Sequence, residues 1–97
     1  MMTASRGNPA PTKAEREHIL RVKSLPCSVC DRAGPSECHE IRQGEWCLAV
    51  ALCVDCHRNA FLGIHGQRRN WAIRKVDELD ALEITIRRML GNVREWV

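Results

Sequence analysis

The order of apolar and polar positions predicts a helix near each end of the chain and a β-hairpin between them. At the first helix, Thr12 and Glu15 have the spacing of a capping box. Ile19 and Val22 then form a short apolar stripe, and a proline shortly afterwards ends the pattern. We therefore expect a helix over residues 12–24.

The middle of the chain changes from helical spacing to short strand-like runs. A strand over 37–42, a turn at Gln43 and Gly44, and a more apolar strand over 46–52 together predict an antiparallel hairpin. One pair of cysteines precedes this hairpin and another follows it directly. The hairpin is therefore expected to lie between two pairs of candidate metal ligands.

Helical spacing returns after the hairpin. A short helix is expected over 54–62, where glycines follow. A C-terminal helical region should occupy 67–90, with a new start at Asp77 and a stop at Gly91 and Asn92. The apolar stripe of its last helix comprises Leu79, Leu82, Ile86 and Met89 or Leu90.

The length of 97 residues allows one small domain, expected over 12–97. Only one Phe and three Trp are present, so the core needs a further source of stability. Residues 1–11 are small and polar and include prolines, which predicts a disordered tail. Neither a secretory signal nor a run of about 18 apolar residues is found, which favours a cytoplasmic protein with no membrane partner.

Six cysteines are the candidate source of this further stability. Four of them form two Cys-x-x-Cys pairs, and in a reducing compartment such pairs are more often metal ligands than disulfides. Their thiolates would complete a tetrahedral all-sulfur shell for a structural Zn²⁺. A cysteine turn, a hairpin and a helix that carries the second turn outline a treble-clef zinc finger. The four expected ligands are Cys27, Cys30, Cys53 and Cys56.

The other two cysteines, Cys38 and Cys47, fall on the two expected strands and could face each other. We interpret them as small buried apolar residues, with a disulfide or a substituted zinc ligand as the alternatives.

Charge is unevenly distributed. Residues 1–76 carry 12 basic and 7 acidic side chains, whereas residues 77–97 carry 3 basic and 5 acidic ones. Twelve of the 15 cations are Arg, whose planar fork matches phosphate oxygens. The composition leans towards a phosphate-bearing partner but does not establish nucleic-acid binding.

Three of the four histidines accompany the expected zinc scaffold. His39 falls on the first strand, His57 follows the last zinc cysteine, and His65 lies between two glycines. Imidazole is a common transition-metal ligand and a base near neutral pH, so their grouping predicts a functional site. His18, in the first helix, is assigned a solvated or packing role.

Together, these motifs resemble the HNH endonucleases, also called ββα-metal or His-Me finger nucleases. Within this family, the chain most resembles the small phage and prophage nucleases that have a zinc-stabilised core. It spans residues 27–66 and consists of Cys27-x-x-Cys30, Cys38-His39-Glu40-Ile41-Arg42, Leu52-Cys53-x-x-Cys56-His57-Arg58 and Gly63-Ile64-His65-Gly66.

The resemblance implies a small zinc-stabilised α+β domain with a ββα-metal core, an N-terminal helix and a C-terminal helical extension. It implies hydrolysis of DNA phosphodiesters in the cytosol of a bacterial host, by nicking or by double-strand cleavage. A catalytic Mg²⁺ or Mn²⁺, separate from the structural zinc, would lie between the hairpin and the helix.

The resemblance also implies roles for individual residues. His57 and His65 would bind the catalytic ion, and the two glycines around His65 would let the chain turn back towards His57. His39 is preferred as general base, because imidazole titrates near neutral pH. In the alternative, His39 is a metal ligand and Glu40 takes the base position. Neighbouring phosphates would be held by Arg42, Arg58, Arg68 and Arg69.

A second function is kept open: a non-catalytic zinc module that binds DNA or a protein partner. The apolar stripe of the last helix and Trp96 could form an interaction face. Because so small a chain cannot enclose a duplex, a nuclease of this size is expected to form a homodimer or to join a larger phage or recombination protein.

Overall fold

The computed structural model describes residues 10–91, which form a small α+β structure with one two-stranded sheet. Most of the expected disordered tail, together with Asn92 and Trp96, lies outside this range. The elements are α1 (Lys13–Lys23), β1 (Glu37–Glu40), β2 (Ala49–Leu52), α2 (Val54–Arg58), α3 (Arg69–Arg74) and α4 (Glu78–Met89).

Helix α1 begins at the expected capping box. Thr12 Oγ1 accepts a hydrogen bond from Glu15 N–H at 3.1 Å, and Glu15 Oε1 accepts one from Thr12 N–H at 2.8 Å. Val22 is fully buried and packs with Ala49 and Ala51 of β2. The prediction of this helix from local signals is confirmed.

The hairpin is antiparallel, with His39 opposite Val50, but both strands are shorter than expected. The first ends at Glu40 rather than at 42, and the second begins at Ala49 rather than at 46. Between them the backbone makes successive turns, closed by Glu45 N–H on the Arg42 carbonyl and by Leu48 N–H on the Glu45 carbonyl, each at 3.0 Å. The expected turn at Gln43 and Gly44 is therefore present, but a second turn follows it before β2 begins.

Strand β2 is buried along its whole length, and the outward-facing backbone groups of Ala51 are paired with a side chain and a loop. Ala51 N–H donates to Thr85 Oγ1 at 3.2 Å, and the Ala51 carbonyl accepts from Ser28 N–H at 2.9 Å. The hydroxyls of Ser28 and Thr85 are 2.7 Å apart. Helix α4 and the first cysteine turn are thus fixed to the same strand, with no edge group of Ala51 left unpaired.

Helix α2 ends at Arg58, four residues before the expected end at Leu62. The cause is Asn59, whose Oδ1 accepts hydrogen bonds from Phe61 N–H at 2.9 Å and Leu62 N–H at 3.1 Å. An Asn side chain that satisfies the backbone in this way favours a turn over continued helix.

The expected C-terminal helical region divides into α3 and α4. Lys75, with φ of 58°, ends α3, and a capping box between Asp77 and Asp80 starts α4. Gly91, with φ of 103°, follows the helix in the left-handed region, in accord with the expected stop. Within residues 10–91, no helix is both long and apolar enough to cross a membrane.

Candidate metal centres

The four cysteines of the two Cys-x-x-Cys pairs converge. Their sulfur atoms lie within 4.8 Å of one another. Cys27 and Cys30 come from the turn before β1, Cys53 is the N-cap of α2, and Cys56 lies within that helix. Three of the four are buried and Cys30 is partly buried. The cluster can hold a structural metal such as zinc.

Several N–H groups point at these sulfurs. Val29 N–H donates to Cys27 Sγ and Cys56 N–H to Cys53 Sγ, each at 3.4 Å. The side-chain amide of Asn70, in α3, donates to Cys56 Sγ at 3.3 Å. Such donors stabilise negative charge on sulfur, as metal-bound thiolates require.

The pKa shifts of Cys27, Cys30 and Cys56 differ in direction. A hydrogen bond with Cys56 lowers the pKa of Cys27 to about 4, and the same interaction raises the pKa of Cys56. Burial raises the pKa of Cys30. Packing the thiols together therefore favours a thiolate at Cys27 beside protonated Cys30 and Cys56, and a divalent cation would displace such protons on binding.

A second cluster contains His39 from β1, His57 from α2 and His65 from the segment after α2. The ring centroids are 5.2 Å apart for His39 and His57, 5.1 Å for His39 and His65, and 4.8 Å for His57 and His65. One nitrogen from each ring can be chosen so that all three lie within 4.8 Å of one another. Three imidazole nitrogens grouped in this way could bind one metal ion. His39 and His57 are buried, whereas His65 is exposed.

Two glycines allow the chain to bring His65 back to His57. A Cβ on Gly63 would lie 2.7 Å from the His57 carbonyl oxygen, and a Cβ on Gly66 would clash with the Ala60 carbonyl. In this close approach His65 N–H donates to the His57 carbonyl at 3.3 Å. The return of the chain is as expected from the glycines, although the helix ends earlier than predicted.

Two carboxylates that sequence reasoning missed hold the buried rings. Glu78 Oε2, on the first turn of α4, is 2.6 Å from His39 Nε2. Glu37 Oε1 is 2.7 Å from His57 Nδ1. Glu37 was detectable in principle, since it lies two residues before His39 and hence on the same face of β1. No local signal connects Glu78 with a strand that precedes it by 39 residues.

Burial and hydrogen bonding shift the pKa values of His57 and Glu37. Burial lowers the pKa of His57, against the opposing effect of its hydrogen bond with Glu37. The same hydrogen bond lowers the pKa of Glu37, with a further contribution from Arg58. The neutral imidazole needed for metal binding is thus favoured beside an ionised carboxylate.

The histidine cluster opens into a surface cavity of about 470 Å³. Glu40 borders this cavity, and its Oε1 accepts a hydrogen bond from Gly44 N–H at 2.9 Å. The other lining residues are Cys38, His39, Ile41, Gln43, His57, Ile64, His65, Arg68 and Glu78. The cluster is therefore accessible to a ligand larger than water.

The four arginines expected to bind phosphate are placed differently. Arg68 lines the cavity, and its Nε donates to the Ile64 carbonyl at 3.1 Å. Arg58 donates to Glu37 at 2.8 Å. Arg42 lies 3.9 Å from Glu45, and Arg69 Nε donates to Gln67 at 3.2 Å; both arginines are exposed.

The two remaining cysteines do not face each other. Cys38 is opposite Ala51 and partly buried, and burial raises its pKa to about 11. Cys47 is exposed in the turns between the strands. The interpretation as a small apolar residue agrees with the position of Cys38 but was wrong for Cys47, because the second strand begins later than expected.

Comparison of the chain with protein-family models, with curated proteins and with solved structures finds no significant match. The chemistry of the two clusters is therefore the feature of the chain that bears on its function.

Proposed function

We propose that this chain is a metal-dependent DNA endonuclease of the HNH, or ββα-metal, type. The observation that carries the proposal is the convergence of His39, His57 and His65 from a strand, a helix and a loop. Their rings meet at the wall of a surface cavity. A purely structural metal site is normally closed, whereas a catalytic site keeps a position open for substrate or water.

The proposed fold is a treble clef with a ββα-metal core over residues 27–66. Its support is the chain order of a cysteine turn, an antiparallel hairpin and helix α2. Cys56 and His57 are adjacent in α2 but belong to different clusters. A zinc ion on the cysteines would therefore hold α2, and with it His57, against the hairpin.

The proposed second ion is bound by all three histidines. Imidazole nitrogen is a preferred donor for transition metals, whereas Mg²⁺ prefers oxygen. Of the two ions that the resemblance implies, this donor set favours Mn²⁺ over Mg²⁺. A divalent ion here would stabilise charge developing on the phosphate and on the leaving oxygen.

With His39 used as a ligand, Glu40 is the proposed general base. Glu40 borders the cavity next to His39, and Gly44 N–H holds one oxygen of its carboxylate. The carboxylate would accept the proton of the water that attacks phosphorus. The other assignment, with His39 as base, leaves only two of the three converging histidines for the metal.

Arg68 is the proposed contact to the scissile phosphate. Its Nε donates a hydrogen bond to the Ile64 carbonyl. A guanidinium has five N–H donors, so others remain to bind a phosphate. Arg42 and Arg69 are exposed and would contact neighbouring phosphates, whereas Arg58 is shared with Glu37. Binding to duplex DNA should weaken steeply with salt, with a slope that falls by about 0.9 for each contact removed.

The test is cleavage of supercoiled plasmid by the zinc-loaded chain with Mn²⁺ or Mg²⁺ added. We expect nicking with Mn²⁺ and its loss in both His39→Ala and Glu40→Gln. His39→Ala should also lose Mn²⁺ binding, whereas Glu40→Gln should retain it. Glu45→Gln, which removes a carboxylate outside the cavity, is the matched control.

Failure of the wild-type chain to nick DNA with any divalent ion would contradict the proposal. Loss of cleavage in a His39→Ala variant that still binds Mn²⁺, with full activity in Glu40→Gln, would return the base role to His39.

The non-catalytic module remains the second candidate, and two observations favour it. Arg58, which directly follows His57, forms an ion pair with Glu37, and this pairing offsets part of the charge that it could offer to a phosphate. The cysteine cluster also forms without any contribution from the histidines. DNA binding by the chain without cleavage under any metal condition would support this function.

A further inference from the structure

The carboxylates beside the histidine cluster contact different nitrogens of their rings. Glu78 meets Nε2 of His39 at 2.6 Å, whereas Glu37 meets Nδ1 of His57 at 2.7 Å. The two rings are therefore held by opposite edges. This difference decides which nitrogen of each ring remains free to bind another ligand, such as a metal ion.

An ionised carboxylate can only accept a hydrogen bond, so the ring nitrogen beside it must carry the proton. In a neutral imidazole the other nitrogen then has the free lone pair. For His39 the free lone pair is on Nδ1, and for His57 it is on Nε2. A carboxylate on one imidazole nitrogen is also the usual partner of a histidine that binds metal through the other nitrogen.

We propose that Glu78 and Glu37 are positioning residues that fix opposite tautomers, so that His39 presents Nδ1 and His57 presents Nε2 to one transition-metal ion. This inference rests on the metal-binding part of the proposed function and does not depend on DNA cleavage. It assigns helix α4, which lies outside the 27–66 core, a direct role in building the site.

The two carboxylates are not equivalent. Glu37 Oε1 also accepts a hydrogen bond from Arg58 Nε at 2.8 Å, so its charge is divided between two partners. In the described part of the chain, His39 is the hydrogen-bonding partner found for the Glu78 carboxylate. Asp77, the N-cap residue, fixes the first turn of α4 from which Glu78 projects. Glu78 should therefore have the larger influence on its histidine.

The first test is the tautomer of each histidine in the zinc-loaded full chain, read from two-bond ¹H–¹⁵N couplings at alkaline pH. We expect His39 protonated on Nε2 and His57 protonated on Nδ1. A His39 protonated on Nδ1 would overturn the inference, and no variant is needed for this result.

The second test is Co²⁺ or Mn²⁺ affinity of three variants on the same helix. Glu78→Ala should lower the affinity by about 10–100-fold. Glu78→Gln, whose amide oxygen still accepts from Nε2, should keep the tautomer and lose less. Glu83→Gln, which removes an exposed carboxylate paired with Arg87, is the matched control and should match the wild type.

Unchanged metal affinity and an unchanged His39 tautomer in Glu78→Ala would overturn the role of Glu78. Zinc content and the circular dichroism of each variant separate this result from loss of folding. A chain that binds metal as expected but never cuts DNA would contradict the proposed nuclease and leave this inference standing.

Discussion

The cysteine cluster and the histidine cluster share helix α2 but differ in how they are built. The cysteines come in two close pairs, and three of the four are buried. The histidines come from three separate segments, and His65 is exposed at a cavity. Four sulfurs can complete a tetrahedral shell, whereas three nitrogens leave a position for another ligand. The contrast separates a site suited to stabilising the fold from one suited to binding a substrate.

The largest expected effect follows from breaking the cysteine cluster. Cys56→Ser should leave the chain largely unfolded, because the apparent binding energy of a structural zinc, about 10–16 kcal/mol, matches or exceeds the stability of a typical domain. Far-ultraviolet circular dichroism and zinc content measure the outcome. Cys47→Ser, which changes an exposed cysteine, is the control and should fold normally. A folded Cys56→Ser variant with an unchanged melting temperature would remove the structural role.

Disrupting the histidine cluster should affect metal binding and leave the fold intact. His57→Ala is expected to lose binding of the second ion and to keep both the zinc and the fold. Metal content after dialysis and titration with Mn²⁺ measure the two sites separately. His18→Ala removes a histidine of α1 that lies outside the cluster and should keep both ions. Simultaneous loss of both ions in His57→Ala would mean that the two centres are not separable.

These two centres also differ in how far sequence could predict them. The cysteine ligands were predictable because each pair sits in one local turn, and the capping boxes of Thr12 and Asp77 are equally local. Glu78 could not be predicted in this way, since its contact with His39 depends on how α4 packs against β2. The early end of α2 depended on the side chain of Asn59, which competes with the helix for backbone donors.

A smaller effect is expected from disturbing only the third histidine. In Gly66→Ala the added Cβ would meet the Ala60 carbonyl and displace the segment that carries His65. Overpacking of this kind costs about 1–3 kcal/mol, or about 5–150-fold in a binding constant. Mn²⁺ affinity should fall by up to this amount, because only the strain that differs between the free and the metal-bound states affects binding, and zinc should remain bound.

The control for this prediction is a double-mutant cycle with His65→Ala. If Gly66 acts through His65, the double variant should bind Mn²⁺ no more weakly than His65→Ala alone. Additive losses would show that Gly66 supports the cluster by another route.

The smallest expected effect on metal binding concerns β2, which supports both centres. Thr85→Val removes the hydroxyl that accepts from Ala51 N–H and contacts the Ser28 hydroxyl. Leaving such buried groups unsatisfied costs about 1–3 kcal/mol of stability. Urea denaturation of the zinc-loaded chain should show this loss, and Thr85→Ser, which retains the hydroxyl, should recover most of it. Since β2 contributes no ligand, Mn²⁺ affinity of the folded variant should equal that of the wild type. A selective loss of Mn²⁺ binding would instead mean that the histidine cluster depends on the position of α4 more than the cysteine cluster does.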